Sequence, residues 1–590
     1  RLKPGVSLDQ ANTEFKMLAR RSERKYPNSH SDRSARVNLL RKHVNGEADA
    51  FMQMLSGAAL FVLLIACANV ASLQFARISS RTREVAVRSA MGAARSRLMT
   101  QFLTESALLG ALGALAGIAF AHWGTYLLRT ALPAEVARWV PGWSRLGIDW
   151  HALAYAMALS VASGALAGVA PAWLASKTNL VDELKAGGRG MSASRSRQRI
   201  RATLVVTEIV LAVVLLVGAG LMVKGVQRLA EPGPGIQPEK VLTLWMTLPE
   251  SRYPKPQHQV KFQDDVLHSL SGLPGVQSAA LVSALPYASP PSGVTFFIEG
   301  RPAPRPGAEP SGDREAVSAA YFQNLRIQLR QGRLFDGRDG DGAPPVAIVS
   351  EHLAHRYFPG EDPIGRRVRL GPADSQSPWC TIVGVVADIR RDPWDHDISP
   401  VIYQPFRQAP SQRVYFLLRT GGDPRALIPA ARAEVARVDP DQPVQDIRSY
   451  RISMDHALIG LQYVASMMAI FGVIALLLSA AGVYGIMACS VAERTREIGL
   501  RRALGAQNRT VVWMVGRWAV LLTLCGLALG VPAAFGLAGL LQNLVYGVGA
   551  HDLPSFAAGV LVLCAAATLA CYVPLRRALA VDPIVTLRTE

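Results

Sequence analysis

Seven stretches of this chain run for about 19 to 29 residues almost without charge: 51–76, 102–128, 150–174, 202–223, 462–490, 512–534 and 556–574. A helix rises 1.5 Å per residue, so roughly 20 apolar residues cross the hydrocarbon core of a bilayer. A buried helix of a soluble protein would account for any one of these runs, but not for all seven. The fold class that follows is an α-helical polytopic membrane protein with seven transmembrane helices. Composition agrees: half of the 590 residues are hydrophobic and the mean hydropathy is +0.19.

The net charge of +19 would ordinarily suggest nucleic acid as a partner. The basic residues lie elsewhere than on one soluble face. Arg77, Arg81, Arg83, Arg88, Arg95 and Arg97 follow the first run, and Lys177, Lys185, Arg189, Arg195, Arg197, Arg199 and Arg201 precede the fourth. Arg494, Arg496, Arg501, Arg502 and Arg509 follow the fifth, and Arg576, Arg577 and Arg588 close the chain. If the helices alternate, all four clusters fall on one side, and short loops rich in Lys and Arg stay in the cytoplasm. The charge therefore records topology, with the bilayer as partner and no nucleic acid. Residue 1 is expected outside and residue 590 inside. Of six cysteines, only Cys380 lies in the large polar region, so no disulfide framework is expected. The chain opens on Arg1 with no signal peptide although its first segment should be outside, and it reads as starting downstream of its true beginning.

A basic peptide occurs twice. RTREVAVRSAMGA stands at 81–93 and RTREIGLRRALGA at 494–506, displaced by 413 positions. Asp149 and Pro171 recur as Asp552 and Pro574, displaced by 403. Each copy is three spans with the basic peptide after the first. The organisation expected is a remnant of a first extracytoplasmic domain at 1–50 and a three-helix membrane unit at 51–176. A Gly/Ser/Arg-rich cytoplasmic linker follows at 177–201, then a helix opening the second unit at 202–225. An extracytoplasmic domain at 226–455 and a second three-helix unit at 456–590 complete it. Two parallel halves of this kind occur in transporters. Within 226–455, β-branched or alternating runs at 241–248, 278–285, 293–300, 346–350, 380–389, 401–406 and 414–420 read as strands. Residues 257–271, 351–357 and 425–437 read as helices, giving an α+β domain.

These residues resemble the MacB/FtsX-like permeases of ABC transporters, and most of all the large duplicated form with two fused units. The resemblance is carried by LLIACANVASLQFARISSRTREVAVRSAMGAARSRL, ERTREIGLRRALGA, YFQNLRIQLRQGRLFDGRDGDGAPPVAIVSEHLAHRYFPGEDPIGRRVRLG, TIVGVVADIR and the VDPIVTLRTE ending. It covers nearly the whole chain and identifies 226–455 as a MacB-like periplasmic core domain. It implies a permease subunit in a bacterial inner membrane, worked by a separate ABC ATPase, that relays movement to the periplasm for efflux or export. It also implies a periplasmic partner protein. The alternative is an FtsX-like signalling protein that regulates a periplasmic partner such as a cell-wall hydrolase.

Glu84 and Arg88, like Glu497 and Arg501, lie four apart, the spacing of a helical ion pair. Val85, Val87 and Met91, or Ile498, Leu500 and Leu504, give an apolar side. Such an amphipathic helix would rest on anionic lipid. The resemblance implies instead that it couples to the ATPase, through Arg81, Arg83, Glu84, Arg88 and Gly92 in the first copy and Arg494, Arg496, Glu497, Arg501, Arg502 and Gly505 in the second. Glu105 and Glu208 sit near cytoplasmic span ends, where snorkelling or capping is expected. His122 and Asn69 read as bundle-facing polar contacts. DGRDGDG (336–342) has incomplete calcium-loop spacing and reads as a tight turn. His352 and His355 lack an HExxH context and read as a solvated helix face. The dipeptide Gly-Lys is absent, so no GxxxxGK[ST] phosphate loop exists. The chain is expected to be no enzyme and to need no cofactor or metal.

Overall fold

The computed structural model describes residues 2–25, 35–38, 40–80, 95–131, 147, 149–176, 191–230, 236–290, 292–302, 304, 309–372, 375–391, 398–493, 495–504, 507–540, 548–549 and 551–580. The chain divides into two compact units, residues 1–49 with 226–462 and residues 50–225 with 463–590.

The first unit holds helix α1 (Leu8–Lys25) and an α+β domain. Strands β1 (Val241–Thr247), β2 (Val276–Val282), β10 (Arg413–Thr420) and β11 (Gln445–Ser449) form an antiparallel sheet in the order β11-β1-β10-β2. Helices α6 (Pro256–Ser271) and α9 (Ile428–Val438) connect its two pairs, a split βαβ pattern of ferredoxin-like type. β1 alternates as a strand covered on both faces must. Leu242, Leu244 and Met246 pack with Phe262, Val266, Leu270, Ala431 and Val435, while Val241 joins Ala280, Val282 and Leu417 in a separate cluster.

The segment between β2 and β10 inserts a second body. β3 (Gly293–Ile298), β4 (Ser311–Val317), β5 (Leu329–Gly332), β6 (Val346–Ser350), β7 (Arg367–Leu370), β8 (Cys380–Val386) and β9 (Val401–Pro405) lie here, with helices α7 (Tyr321–Leu325) and α8 (Glu351–Tyr357). Pairing runs β4-β3-β7-β8-β6-β9, and β9 returns in parallel to β4, closing a ring of six strands. The expected strand runs all appear, within a few residues at their ends. Four further strands, β4, β5, β7 and β11, lie where no strand was expected.

β4 carries a buried ionic knot. Arg391 Nε lies 3.3 Å from Asp313 Oδ2, and the same guanidinium pairs with Glu315, all three side chains being buried. Glu315 also accepts from Ala284 N at 3.0 Å and Ser283 Oγ at 3.1 Å. Two carboxyls share one cation, so burial pushes Glu315 up to about 7 while Arg391 pulls it back.

The second unit is helical: the greater part of α2 (Leu40–Ser80), α3 (Arg95–Ala131), α4 (Trp150–Ser176), and the greater parts of α5 (Met191–Ala230) and α10 (Tyr450–Glu493), with α11 (Thr495–Ala503), α12 (Asn508–Leu540) and α13 (Leu553–Leu579). Among the described residues six helices are long and apolar enough to cross a membrane, within α2, α3, α5, α10, α12 and α13. The seventh span expected, at 150–174, is helical as α4 but is not one of the six. Its side chains from 166 onward lie outside the described residues. The count supported is therefore six.

α5 is the hub of this unit. Its apolar stretch is 56% buried, against 11–28% for the other five. Ile209 of α5 presses on Gly526 of α12, Val213 on Gly530, and Val217 on Gly559 of α13. Small residues let backbones approach in this way inside a bilayer, where burial from water supplies no drive for helix association. α10 is one helix of 44 residues. Its first turns belong to the domain core through Tyr450 and Met454, with the Tyr450 hydroxyl donating to Pro286 O at 3.1 Å.

Candidate functional site

Residues 495–503 of the second basic peptide form the expected helix, α11. Glu497 and Arg501 form the i,i+4 ion pair at 2.7 Å, each about half exposed. Arg501 also reaches the Met514 sulfur at 3.3 Å. Arg502 turns the other way and donates to Leu579 O at 2.6 Å. That carbonyl belongs to the last turn of α13, where helix C-termini favour a cation. Ile498 is fully buried. One side of α11 is thus fixed to the bundle by Ile498 and Arg502.

The apolar side expected from the sequence does not hold together. Ile498 points in, while Leu500 and Leu504 are 50% and 79% exposed. Residues two apart are separated by about 200° around a helix, whereas residues four apart share a face. The outward stripe is therefore Glu497, Leu500, Arg501 and Leu504, the spacing i, i+3, i+4, i+7. It offers two leucines beside an ion pair. That spacing was present in the sequence, and Leu500 and Leu504 are the residues a face-by-face reading would have added. The same spacing in the first copy gives Glu84, Val87, Arg88 and Met91.

The first-copy residues Arg81, Arg83, Glu84, Arg88 and Gly92 lie outside the described residues, as do Arg494, Gly505 and the side chain of Arg496.

Other candidates resolve differently. Glu105 is half-buried, with Gln101 Nε2 at 3.4 Å. Glu208 does not snorkel: it is fully buried, with neither carboxyl oxygen hydrogen-bonded among the described residues. Its position on the hub helix α5, enclosed by neighbours distant in sequence, is the reason. Asn69 is a bundle contact, donating to Leu478 O at 2.9 Å. His122 is exposed on α3 instead of facing the bundle. In 336–342 two of the three acids are spent on arginines: Asp339 accepts two bonds from Arg333 at 2.7 and 2.8 Å, and Asp336 pairs with Arg338 at 2.7 Å. That is a turn held by ion pairs. Among the described residues no group of three or more His, Cys, Asp or Glu side chains could hold a metal.

Six helices of span length, joined in one chain to an α+β domain, define a multi-pass membrane protein. A family model of the FtsX-like permease C-terminal region matches residues 56–180 and again 469–583, and one of the MacB-like periplasmic core domain matches 202–434. The chain belongs to the MacB/FtsX-like family of ABC transporter permeases and is a multi-pass membrane protein with a periplasmic domain. It is 28% identical over 290 residues to the macrolide export ATP-binding/permease protein MacB of Azoarcus sp. (strain BH72), covering 47% of this chain and 42% of that protein. It is 27% identical over 294 residues to the probable syringafactin export ATP-binding/permease protein SyfD of Pseudomonas syringae pv. tomato, covering 46% and 42%. The matches thus span less than half the length of these relatives. Among solved structures, the periplasmic region of MacB from Actinobacillus actinomycetemcomitans is similar over 38% of this chain and 95% of that one, at 14% identity and a TM-score of 0.27.

Proposed function

We propose that the chain is the membrane subunit of an inner-membrane ABC transporter that couples a separate cytoplasmic ATPase to movement of its periplasmic domain, for efflux or export. The observation that carries this reading is the outward stripe of α11. Two exposed leucines beside an ion pair suit a protein groove, and Ile498 and Arg502 fix the opposite side to the bundle. A push on Leu500 and Leu504 would pass into α12 and α13 through Arg501 and Arg502, and along the chain into α10, which ends at Glu493 just before α11 begins at Thr495. α10 starts among the core residues of the periplasmic domain, so its displacement would be felt there.

The relatives' names join ATP binding to permease function. This sequence contains no phosphate loop, so we place hydrolysis on another polypeptide. The purified chain should hydrolyse no ATP above a mock preparation, and activity that survives removal of contaminating ATPases would refute that placement.

Charge reversal tests the coupling. In α11, Arg501→Glu puts like charges at i,i+4 beside Glu497 and costs a few tenths of a kcal/mol, about 0.2–0.5, and Arg88→Glu makes the same change at the repeat-equivalent position of the sequence. Facing an acidic groove, the same reversal costs several kcal/mol. The double variant should insert normally and lose its ATPase partner on purification. Recovery of the ATPase at wild-type yield with normal coupled turnover would reject the assignment, and a co-purifying cell-wall hydrolase would point to signalling instead.

A further inference from the structure

Glu208 has no use in the coupling reading, yet its surroundings are specific. It lies on α5, is 0% exposed, and neither oxygen has a hydrogen-bond partner among the described residues. Its carboxyl occupies the space left by the missing side chain of Gly482 on α10. A Cβ built there would stand 1.9 Å from Glu208 Oε2 and 3.1 Å from Asn69 Oδ1. Asn69 of α2 spends its amide NH2 on Leu478 O, which turns its carbonyl oxygen toward the same notch.

Asn69 and Gly482 are equivalent positions of the internal repeat, each twelve residues before its RTRE peptide. The two copies thus converge on one acid of the hub helix. One copy supplies an acceptor oxygen and the other supplies room.

Two acceptor oxygens aimed at one notch cannot satisfy each other. A carboxylate left here without a counter-ion would carry the full cost of a buried charge. Arg201, two turns away on the same helix, has an interaction, and among the described residues no hydrogen-bonding group reaches either oxygen of the Glu208 carboxyl. One proton relieves the conflict, because a carboxyl O–H turned toward Asn69 Oδ1 converts one of the two facing acceptors into a donor.

We propose that Glu208, with Asn69 as acceptor and Gly482 as the notch, is a proton-binding site inside the transmembrane bundle. The carboxyl holds its proton while α2, α5 and α10 are packed, and exchanges it with water when they part. Protonation is thereby linked to the packing of the two repeats against α5. The inference stands independently of which partner docks on α11.

Infrared spectroscopy of the full chain in lipid nanodiscs tests it. At neutral pH the wild type should show a protonated-carboxyl C=O band that is lost in Glu208→Gln. Asn69→Leu should move that band to higher frequency, as an acid does when it loses its hydrogen-bond acceptor. Should Glu208→Gln fail to fold, carbodiimide labelling of the wild type serves, since the reagent attacks protonated carboxyls in apolar surroundings. Mass spectrometry should then find the adduct on Glu208, and Asn69→Leu should alter its rate. No band difference between wild type and Glu208→Gln, an unmoved band in Asn69→Leu, or an unlabelled Glu208 would each overturn the proposal.

Discussion

The two copies of the membrane unit share a sequence pattern and use it differently. Gly526 and Gly530 of α12 form a Gly-x-x-x-Gly seat filled by Ile209, Val210 and Val213 of α5. Their repeat equivalents on α3, Gly113 and Gly117, have nothing within 4 Å of where a Cβ would stand. The second pair of helices inverts the contrast. α3 and α4 meet closely, with a Cβ on Gly110 landing 2.8 Å from Ser160 O and one on Gly164 landing 2.8 Å from Ser106 O. In the second copy those positions are Thr523, Leu563, Ala567 and Ala519, and a groove of about 950 Å³ opens between α12 and α13. A Gly-x-x-x-Gly motif therefore states that a helix can approach, and the neighbours decide whether one does.

The largest expected effect comes from filling the two seats. Gly526→Leu places its Cβ 2.4 Å from Ile209 Cγ2 and should destabilise the bundle by about 1–3 kcal/mol or more, through overpacking. Gly113→Leu should change stability by no more than about 0.5 kcal/mol, or raise it through better helix propensity. Thermal unfolding of both variants in the same detergent checks this, and equal losses would break the comparison.

The helix seam gives a smaller contrast. Gly164→Ala should cost on the order of 1 kcal/mol against the Ser106 carbonyl. Ala567→Leu points into the groove and should be tolerated, within about 0.5 kcal/mol. If Ala567→Leu proves the worse of the two in denaturant titrations, the groove is closed in solution.

The third contrast concerns the caps of the last helices. Asp552 caps α13 through Ser555 N at 3.0 Å and binds Lys224 of α5 at 2.7 Å. Its equivalent, Asp149, caps α4 through Ala152 N at 2.7 Å and, among the described residues, pairs with His151 at 3.6 Å, with both side chains exposed. Lys224→Met should lower stability by up to about 1 kcal/mol, and His151→Met by nothing measurable. The difference should shrink in high salt.

Much of this was legible in the sequence because it is local. Apolar runs of span length, the repeated basic peptide and the Glu497–Arg501 spacing depend on neighbours within a turn or a single helix. The rest depends on residues far apart. β4 reads as too polar for a buried strand because the partner that Asp313 and Glu315 share, Arg391, comes more than seventy positions later. The six-stranded ring closes through β4 and β9, and nothing local in either segment points to the other as its partner. Glu208 looked close enough to a span end to reach water, and only Gly482 and Asn69 show why it does not. The division of Ile498 from Leu500 and Leu504 needed no distant partner, only attention to the angle between residues two apart.

The central claim is that the exposed stripe of α11 meets an ATPase and not lipid. A photo-crosslinking amino acid at Leu504, which is 79% exposed, tests it in membranes of the cells that make the protein. The same group at Leu524 of α12, 60% exposed within a candidate span, serves as the lipid-facing control. The account predicts that position 504 captures a nucleotide-binding subunit and that position 524 captures lipid. Capture of lipid alone at both positions would contradict it.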